Sequence, residues 1–316
     1  MNVVTILGNT NSGAGAIYEY LIGRNDTHDP FNKKEFRILS DPGGINDLYA
    51  CFNSYSLQSF NDAFRRLIEI EKLYRSNRTV FKDGLGLNSV DNYIELWEDY
   101  INLIKGTKYS HRYIYTDIKR NSLIQIFKRI LTRFGYRKIL FNDYFTGITK
   151  REFRDHTFDY LSKLINNNND SEIKINVLNQ CGTFSTPISS TELLGEPKII
   201  CVRRNPLDQY SELKIHKGMR NPEEFINWYL HLKKMESPDQ FKDERVLEIN
   251  FENFVLNHDI EVKKISSFLK IDHRAKSTYK SKLSSKNIGK YKRNLNNYEK
   301  KLILSELSEW SDVNTY

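Results

Sequence analysis

Five short apolar runs, each bounded by polar or turn-forming residues, predict buried strands. They are VVTIL at 3–7, FRIL at 36–39, KINVL at 174–178, KIICV at 198–202 and RVLEI at 245–249. Buried strands that alternate with helical stretches are typical of a parallel sheet joined by crossover helices. We therefore expect an α/β fold with three layers around a mostly parallel central sheet.

Between residues 52 and 170 the pattern changes to apolar residues spaced three and four apart, which is the signature of amphipathic helices. FNDAFRRLIEIEKLY at 60–74, VDNYIELWEDYINLI at 90–104, SLIQIFKRILTRF at 122–134 and REFRDHTFDYLSKLI at 151–165 follow this pattern. We interpret residues 52–170 as a helical insertion within one domain that covers residues 1–316.

The first strand leads into GNTNSGAGAIYEYL at 8–21, where small residues precede a helix-compatible stretch. Such a turn presents backbone N–H groups and the positive end of a helix dipole to an anion. A P-loop that transfers phosphoryl groups also needs a lysine and a Mg²⁺-binding hydroxyl, whereas Ala14, Gly15 and Ala16 follow Gly13 here. The pattern predicts an anion site without kinase-type residues, and by itself it equally fits a tight strand-to-helix connection.

A second candidate anion site follows the strand at 198–202. The segment KIICVRRNPLDQYSE at 198–212 places Arg203 and Arg204 before a proline-containing turn into a helix. Open α/β sheets bind ligands at the carboxyl ends of their strands, and a guanidinium can form two hydrogen bonds to one phosphate. Taken alone, the segment also fits an exposed arginine pair at a strand end.

Composition narrows the classes of protein only partly. The formal net charge of +8 favours anionic ligands without choosing among nucleotides, sulfated substrates, acidic glycans and nucleic acid. The three cysteines are an odd number without metal-ligand spacing, which favours a reducing compartment. Because the chain lacks both a run of about 20 apolar residues and the pattern of a signal peptide, we expect a cytoplasmic protein without a transmembrane segment.

Together with two later segments, these stretches resemble the sulfotransferase family that uses 3′-phosphoadenosine-5′-phosphosulfate (PAPS). The strand–SG–helix loop resembles the family's 5′-phosphosulfate loop, and R-N-P-x-D resembles its 3′-phosphate segment. VLEINFENFVLNHDIEVKKISSFLKI at 246–271 looks like its strand, [YF]-E-[DN]-[LF] element and helix, and SSKNIGKYKRNL at 284–295 is similar to its late basic loop. The four segments occur in the family's order, whereas the insertion resembles no family.

The resemblance implies a P-loop-like nucleotide-binding core and transfer of a sulfuryl group to the hydroxyl of an acceptor, with a saccharide as one candidate. The donor would be PAPS and the product 3′,5′-adenosine bisphosphate (PAP), without a metal ion. Main-chain donors of the loop would hold the 5′-phosphosulfate: Ser12, Gly13, Ala14, Gly15 and Ala16. The 3′-phosphate would contact residues of two later segments: Arg204, Ser211, Lys286, Gly289 and Lys290.

The sequence departs from the family pattern at two positions. The family usually has Lys or Arg before the SG pair to assist the leaving oxygen, and this chain has Asn11, so a lysine of the late loop would supply that charge. The family's serine normally falls one place after Ser211, where this chain has Glu212. Both departures leave the assignment of these residues open.

A general base near the sulfur would activate the acceptor hydroxyl. In glycosaminoglycan-type members it is a Glu eight positions after the lysine of the loop, which corresponds here to Glu19 counted from Asn11. Asp41, at the turn after the predicted second strand, is a rival carboxylate. Glu19 could equally be a solvated helical residue, and Asp41 could serve only to cap its turn.

Three other functions remain open. A kinase-like P-loop enzyme would need the missing lysine, and a nucleic-acid-binding protein would need basic residues interleaved with aromatic ones along one face. The basic residues here are spread along the chain, so we expect no nucleic-acid partner. A non-catalytic nucleotide-binding protein is consistent with Asn11, and the sequence leaves the oligomeric state open.

Overall fold

The computed structural model describes residues 2–76, 87, 90–115, 122–135, 141–166 and 175–310. The strands in chain order are β1 Val3–Gly8, β2 Thr27–His28, β3 Lys108–His111, β4 Asn142–Phe145, β5 Ile175–Asn179, β6 Lys198–Arg203 and β7 Val246–Asn250. The helices of the first half are α1 Ala14–Ile22, α2 Ile45–Ala50, α3 Leu57–Arg75, α4 Tyr93–Ile104, α5 Ser122–Arg133 and α6 Lys150–Asn166. Those of the second half are α7 Pro187–Thr191, α8 Pro206–His216, α9 Pro222–Met235, α10 Pro238–Phe241, α11 Phe251–Leu256, α12 His258–Leu269, α13 Ser281–Ser284, α14 Tyr291–Asn294 and α15 Asn297–Glu306.

A five-stranded sheet with the order β2-β5-β1-β6-β7 lies at the centre of the described residues. Each of its strand pairs is parallel. The α/β fold with a mostly parallel sheet is thus confirmed. The predicted strands that begin at residues 3, 174, 198 and 245 coincide with β1, β5, β6 and β7 to within one residue at each end.

The strand predicted at 36–39 is wrong. The N–H of Ser40 donates to the carbonyl of Arg37 (3.0 Å), so the chain closes a turn here. Phe36 is fully buried, and its N–H reaches the sheet through one bond of 2.9 Å to the carbonyl of Asn179. An apolar run looks the same in a buried turn as in a buried strand, and the short β2 forms this edge of the sheet instead.

The two faces of the sheet contribute to different apolar clusters. Ile6 and Ile200 pack with α1, α11 and α12 on one face. Leu7 and Cys201 pack with Phe184 on the other face. Since successive side chains of a strand point to opposite faces, the sheet forms the middle of three layers.

The insertion shares a core with the sheet. Its predicted helices are present as α3, α4, α5 and α6, but the antiparallel strand pair β3–β4 was missed. Phe60, Trp97 and Tyr160 of the insertion lie in the same buried cluster as Val3 and Leu178 of the sheet. Residues 52–166 therefore do not form a separate core where the structure describes them.

The three cysteines are free thiols, of which Cys181 and Cys201 are buried. Burial raises the pKa of Cys181 to about 12, and its Sγ lies 2.9 Å from the hydroxyl of Thr5. These two thiols therefore behave as small apolar residues of the core. No helix within the described ranges is both long and apolar enough to span a bilayer.

Asn61 is the buried connection between α3 and β4. Its Nδ2 donates to the carbonyls of Leu57 and Phe145, and its Oδ1 accepts the N–H of Phe145, at 2.7, 2.7 and 2.8 Å. Asn61→Ala would leave both backbone groups of Phe145 without this partner, so we expect the free energy of unfolding to fall by about 1–3 kcal/mol. Urea denaturation measures the change.

Asn102→Ala is the matched control, because Asn102 is an exposed asparagine of helix α4 whose side chain accepts a hydrogen bond from Lys105 of the same segment. Its free energy of unfolding should stay within about 0.5 kcal/mol of the wild type. Equal losses of unfolding free energy in the two variants would contradict the inference that Asn61 holds α3 against β4.

Candidate functional site

The two central strands β1 and β6 reach their carboxyl ends side by side, with Gly8 aligned with Val202. The chain leaves β1 towards β2 at one side of the sheet and leaves β6 towards β7 at the other side. Adjacent parallel strands whose connections diverge leave a crevice at their carboxyl ends, where open α/β sheets bind ligands. Both candidate anion sites of the sequence lie at this crevice.

The loop between β1 and α1 is built around Gly13. This residue precedes α1 with a φ of 87°, and a Cβ on it would lie 2.3 Å from the ring of Phe251. Glycine is therefore required here both by the left-handed backbone and by the close approach of an aromatic ring. The loop also begins tightly, since a Cβ on Gly8 would lie 2.0 Å from Oγ of Ser12.

Three of the five predicted main-chain donors lie in the first turn of α1, and Ser12 and Gly13 precede it. The N–H of Ser12 already donates to the carbonyl of Asn9 at 2.9 Å. Ala14 is buried, whereas Gly15 is exposed and has open space around it. The N–H groups at the start of a helix have no partner within the helix. The amide of Ala16 is already engaged, because it donates to the carbonyl of Gly13 at 3.0 Å.

Arg204 contacts the loop directly. Its Nη1 donates to the carbonyl of Asn11 at 2.9 Å, and its Nη2 donates to the carbonyl of Asn287 at 2.6 Å. The guanidinium carbon also lies 5.1 Å from the centre of the Phe251 ring. One arginine thus connects the first loop, the residue that begins α11 and the late loop at 284–295.

Several polar atoms around this contact are buried and have no hydrogen-bond partner among the described residues. They are Nδ2 of Asn11, Oγ of Ser12 and Nε of Arg204. The residues Ser12 and Arg204 are only 3% and 7% exposed. Buried donors without partners are costly, and two of these atoms can only donate, so an anion at this place would satisfy them.

Asp208 fastens the late loop to α8. Its Oδ2 accepts the N–H of Gly289 at 2.7 Å, and its Oδ1 accepts the N–H of Tyr291 at 3.0 Å. Gly289 has a φ of 73°, a conformation that glycine adopts without strain. The carboxylate of the R-N-P-x-D segment, to which the sequence analysis gave no role, thereby holds the late loop beside Arg204.

The other predicted residues of the late segments have partners of their own. The hydroxyl of Ser211 is fully buried and accepts from Nδ2 of Asn294 at 2.9 Å. Nζ of Lys290 lies 2.6 Å from Oε1 of Glu212. Lys286 is exposed and precedes Asn287, whose carbonyl binds Arg204.

Glu252 binds the backbone of the turn that follows Arg204. Its Oε1 accepts the N–H of Asn205 at 3.0 Å, while its Oε2 is buried and unpaired among the described residues. Burial raises the pKa of Glu252, and the nearby positive charge of Arg204 opposes that shift. This carboxyl corresponds to the Glu of the [YF]-E-[DN]-[LF] element.

A narrow cleft lies between the loop and Arg204, and we call it the loop–arginine cleft. Its lining includes the predicted residues Ser12 and Arg204 and three residues that were not predicted, namely Gln209, Tyr229 and Lys233. Nε2 of Gln209 donates to the carbonyl of Thr10 at 2.6 Å. Burial, together with the charge of neighbouring Arg203, lowers the pKa of Lys233. The interior volume of about 20 Å³ has room for one water molecule.

The three predicted catalytic residues lie apart from one another. Asn11 is in the loop with a φ of 59°, whereas Glu19 is exposed on α1. Asp41 is held by Arg37 in a two-pronged ion pair, with contacts of 2.8 and 2.6 Å, and also accepts from the hydroxyl of Tyr74. Of these residues, only Asn11 contacts Arg204.

No family model matches the chain, and no curated protein matches it either.

Gly13 and Gly15 provide a matched pair of substitutions in the loop. Gly13→Ala should lower the free energy of unfolding by at least about 1–3 kcal/mol, because alanine disfavours a φ of 87° and its Cβ would strike Phe251. Gly15→Ala should change it little or raise it by up to about 1 kcal/mol, since the site is open and helical. Thermal and urea unfolding measure both. A neutral Gly13→Ala would contradict this geometry.

Glu252 should leave a signature in the pH dependence of stability. Because its pKa is raised above the ordinary value of 4.5, the folded protein keeps a proton that the unfolded chain has released just above that pH. The contribution of Glu252 to the free energy of unfolding therefore falls as the pH rises through this window. Glu252→Gln should weaken that fall, as measured by urea titrations across the window.

The exposed Glu244 offers a control. Glu244→Gln should keep the wild-type slope of unfolding free energy against pH. If Glu252→Gln kept that slope as well, the raised pKa would not be a property of Glu252.

Proposed function

We propose that the protein is a sulfotransferase that moves the sulfuryl group of PAPS to the hydroxyl of an acceptor. The observation that carries the proposal is the contact between Nη1 of Arg204 and the carbonyl of Asn11 at 2.9 Å. The two candidate anion sites lie 193 residues apart in the chain and meet at the crevice between β1 and β6. A donor with phosphate groups on both sides of its ribose requires such a pair of sites.

The chemistry of the donor set fits an anion. Nε of Arg204 and Nδ2 of Asn11 are buried donors without described partners, and Oγ of Ser12 is a third unpaired polar atom. Nη1 and Nη2 of Arg204 each donate one hydrogen bond to a neutral carbonyl. A phosphate would add attraction between opposite charges and could accept two parallel bonds from the guanidinium, so Arg204 would exchange these carbonyls for phosphate oxygens. The cleft would have to widen for this exchange.

The residues of this chain would then have distinct tasks. Main-chain donors of Gly13, Ala14 and Gly15 would face the 5′ side of the donor, and Arg204 would face the 3′-phosphate. Fixed N–H and guanidinium donors stabilise the negative charge that a leaving bisphosphate carries, and they need no reorganisation during the reaction. Bound donor would supply the sulfuryl group.

Lys286 is the late-loop lysine best suited to replace the cation missing at Asn11. It is exposed and adjacent to Asn287, whereas Lys290 is paired with Glu212. As the acceptor base we retain Glu19, with Asp41 as the rival, although neither is among the residues that line the loop–arginine cleft. Proton removal would require the acceptor to lie over the exposed side of α1.

A non-catalytic nucleotide-binding protein is the second candidate. Asn11 in place of a cation and the position of Glu19 outside the cleft favour it. A kinase-like P-loop protein has less support, because the loop lacks the lysine that such enzymes use.

Calorimetry with PAP and with ATP–Mg²⁺ tests the proposal. We expect the wild type to prefer PAP, and Arg204→Ala to weaken PAP binding by more than tenfold because one phosphate loses its charged partner. The PAP affinity of Arg204→Lys should lie between those of the wild type and Arg204→Ala, since lysine keeps the positive charge but cannot form two parallel hydrogen bonds to one phosphate. Turnover of PAPS with a glycan panel then separates the enzyme from the non-catalytic alternative.

Arg245→Ala is the control. This arginine pairs with Asp243 just before β7, at the amino ends of the strands and thus away from the crevice. It should leave the affinity for PAP unchanged. Preference for ATP–Mg²⁺, or equal PAP affinity in the wild type and in folded Arg204→Ala, would overturn the proposal.

A further inference from the structure

The insertion contains a second, much larger cavity that the proposed donor site does not use. It lies between α3, β4 and the segment that follows β3, and we call it the insertion groove. Its volume is about 660 Å³, within the range of roughly 300–1,000 Å³ that is typical of small-molecule sites. Its lining includes Asn61, Asp62, Arg65, Tyr115, Phe141 and Asn142.

Exposed aromatic rings form one part of the groove. Tyr115 and Phe141 are 45% and 51% exposed, which is unusual for large rings in a concave site. They stand beside a fixed aromatic base, since buried Tyr144 packs edge-on against Tyr113 with ring centres 4.8 Å apart. The groove therefore presents exposed ring surface to a ligand beside a packed pair of tyrosines.

The opposite wall is a polar face of α3. Gln58, Asp62 and Arg65 are spaced four and three residues apart, so they share one side of the helix. Asn61 holds this helix against β4 through the three hydrogen bonds described above. The planar amide, carboxylate and guanidinium groups of this wall are suited to pairs of adjacent hydroxyls.

The charges of the described residues that line the groove nearly cancel. Arg65 and Asp62 carry opposite charges, and Asp62 also lies 3.8 Å from the guanidinium of Arg66. Asp143 is paired with Lys108 at 2.7 Å, which lowers the pKa of that carboxyl. A nucleic acid or a uronate polymer would require a basic groove, and a lipid chain would require an apolar lining. The described lining instead combines aromatic faces with polar groups whose net charge is close to zero.

We infer that the insertion groove binds a short neutral oligosaccharide. The C–H groups on one face of a pyranose carry partial positive charge and pack against the negative face of an aromatic ring, while its hydroxyls reach the polar face of α3. That this saccharide is also the acceptor rests on the proposed function, whereas binding itself does not.

Calorimetry of the full chain with maltotriose, cellotriose and chitotriose tests the inference. We expect the wild type to bind at least one of the three probes. Tyr115→Ala and Phe141→Ala should each weaken that binding by at least tenfold, and Asp62→Asn should weaken it severalfold.

Phe134→Ala is the matched control, because Phe134 is a 74% exposed aromatic residue of the insertion that is not among those lining the groove. It should bind the probe within twofold of the wild type. Absence of binding by the wild type, or equal affinity in Phe141→Ala and Phe134→Ala, would overturn the inference.

Titration of the same variants with PAP separates this inference from the proposed function. Oligosaccharide binding without PAP binding would support the insertion groove as a saccharide site and contradict the proposed sulfotransferase function. PAP binding without oligosaccharide binding would remove the groove as a saccharide site and leave the proposed donor site standing.

Discussion

One buried cation organises the edge of the sheet where ligand binding is expected. The guanidinium of Arg204 binds the carbonyls of Asn11 and Asn287 and lies over the ring of Phe251. A charge buried to this degree is tolerated only when polar partners surround it. The same group that would bind an anion therefore also positions the first loop, α11 and the late loop. This arrangement depends on the adjacency of β1 and β6, which brings residues from the two ends of the chain together.

Much of the fold could be predicted because its elements carry clear periodicity. β1 and β6 contain continuous apolar runs, and α3 and α6 repeat apolar residues at helical spacing. The turn at 36–39 has the same local composition as a strand, so only tertiary packing could reveal its conformation. The β3–β4 pair was missed because its strands are short, polar and separated by a helix, which leaves little alternation to read.

The candidate site was predictable where glycine or arginine sits at a strand end, and less so elsewhere. Gly13 and Arg204 could be singled out because each lies in a short loop between an apolar strand and a helix. The role of Gln209, which binds the carbonyl of Thr10, has no sequence signal, since a glutamine on a helix usually faces solvent. The ion pair between Lys290 and Glu212 likewise depends on how the late loop folds back, which local pattern does not encode.

The order of the strands has a consequence for synthesis of the chain. β1 precedes both of its sheet neighbours by a long stretch of chain, because β5 and β6 begin only at residues 175 and 198. At translation speeds of about 5–20 residues per second, synthesis of the intervening chain leaves both edges of this apolar strand unpaired for roughly 10–40 s. During that interval its backbone N–H and C=O groups are available to other chains, which makes the nascent protein prone to aggregation until the later strands are made.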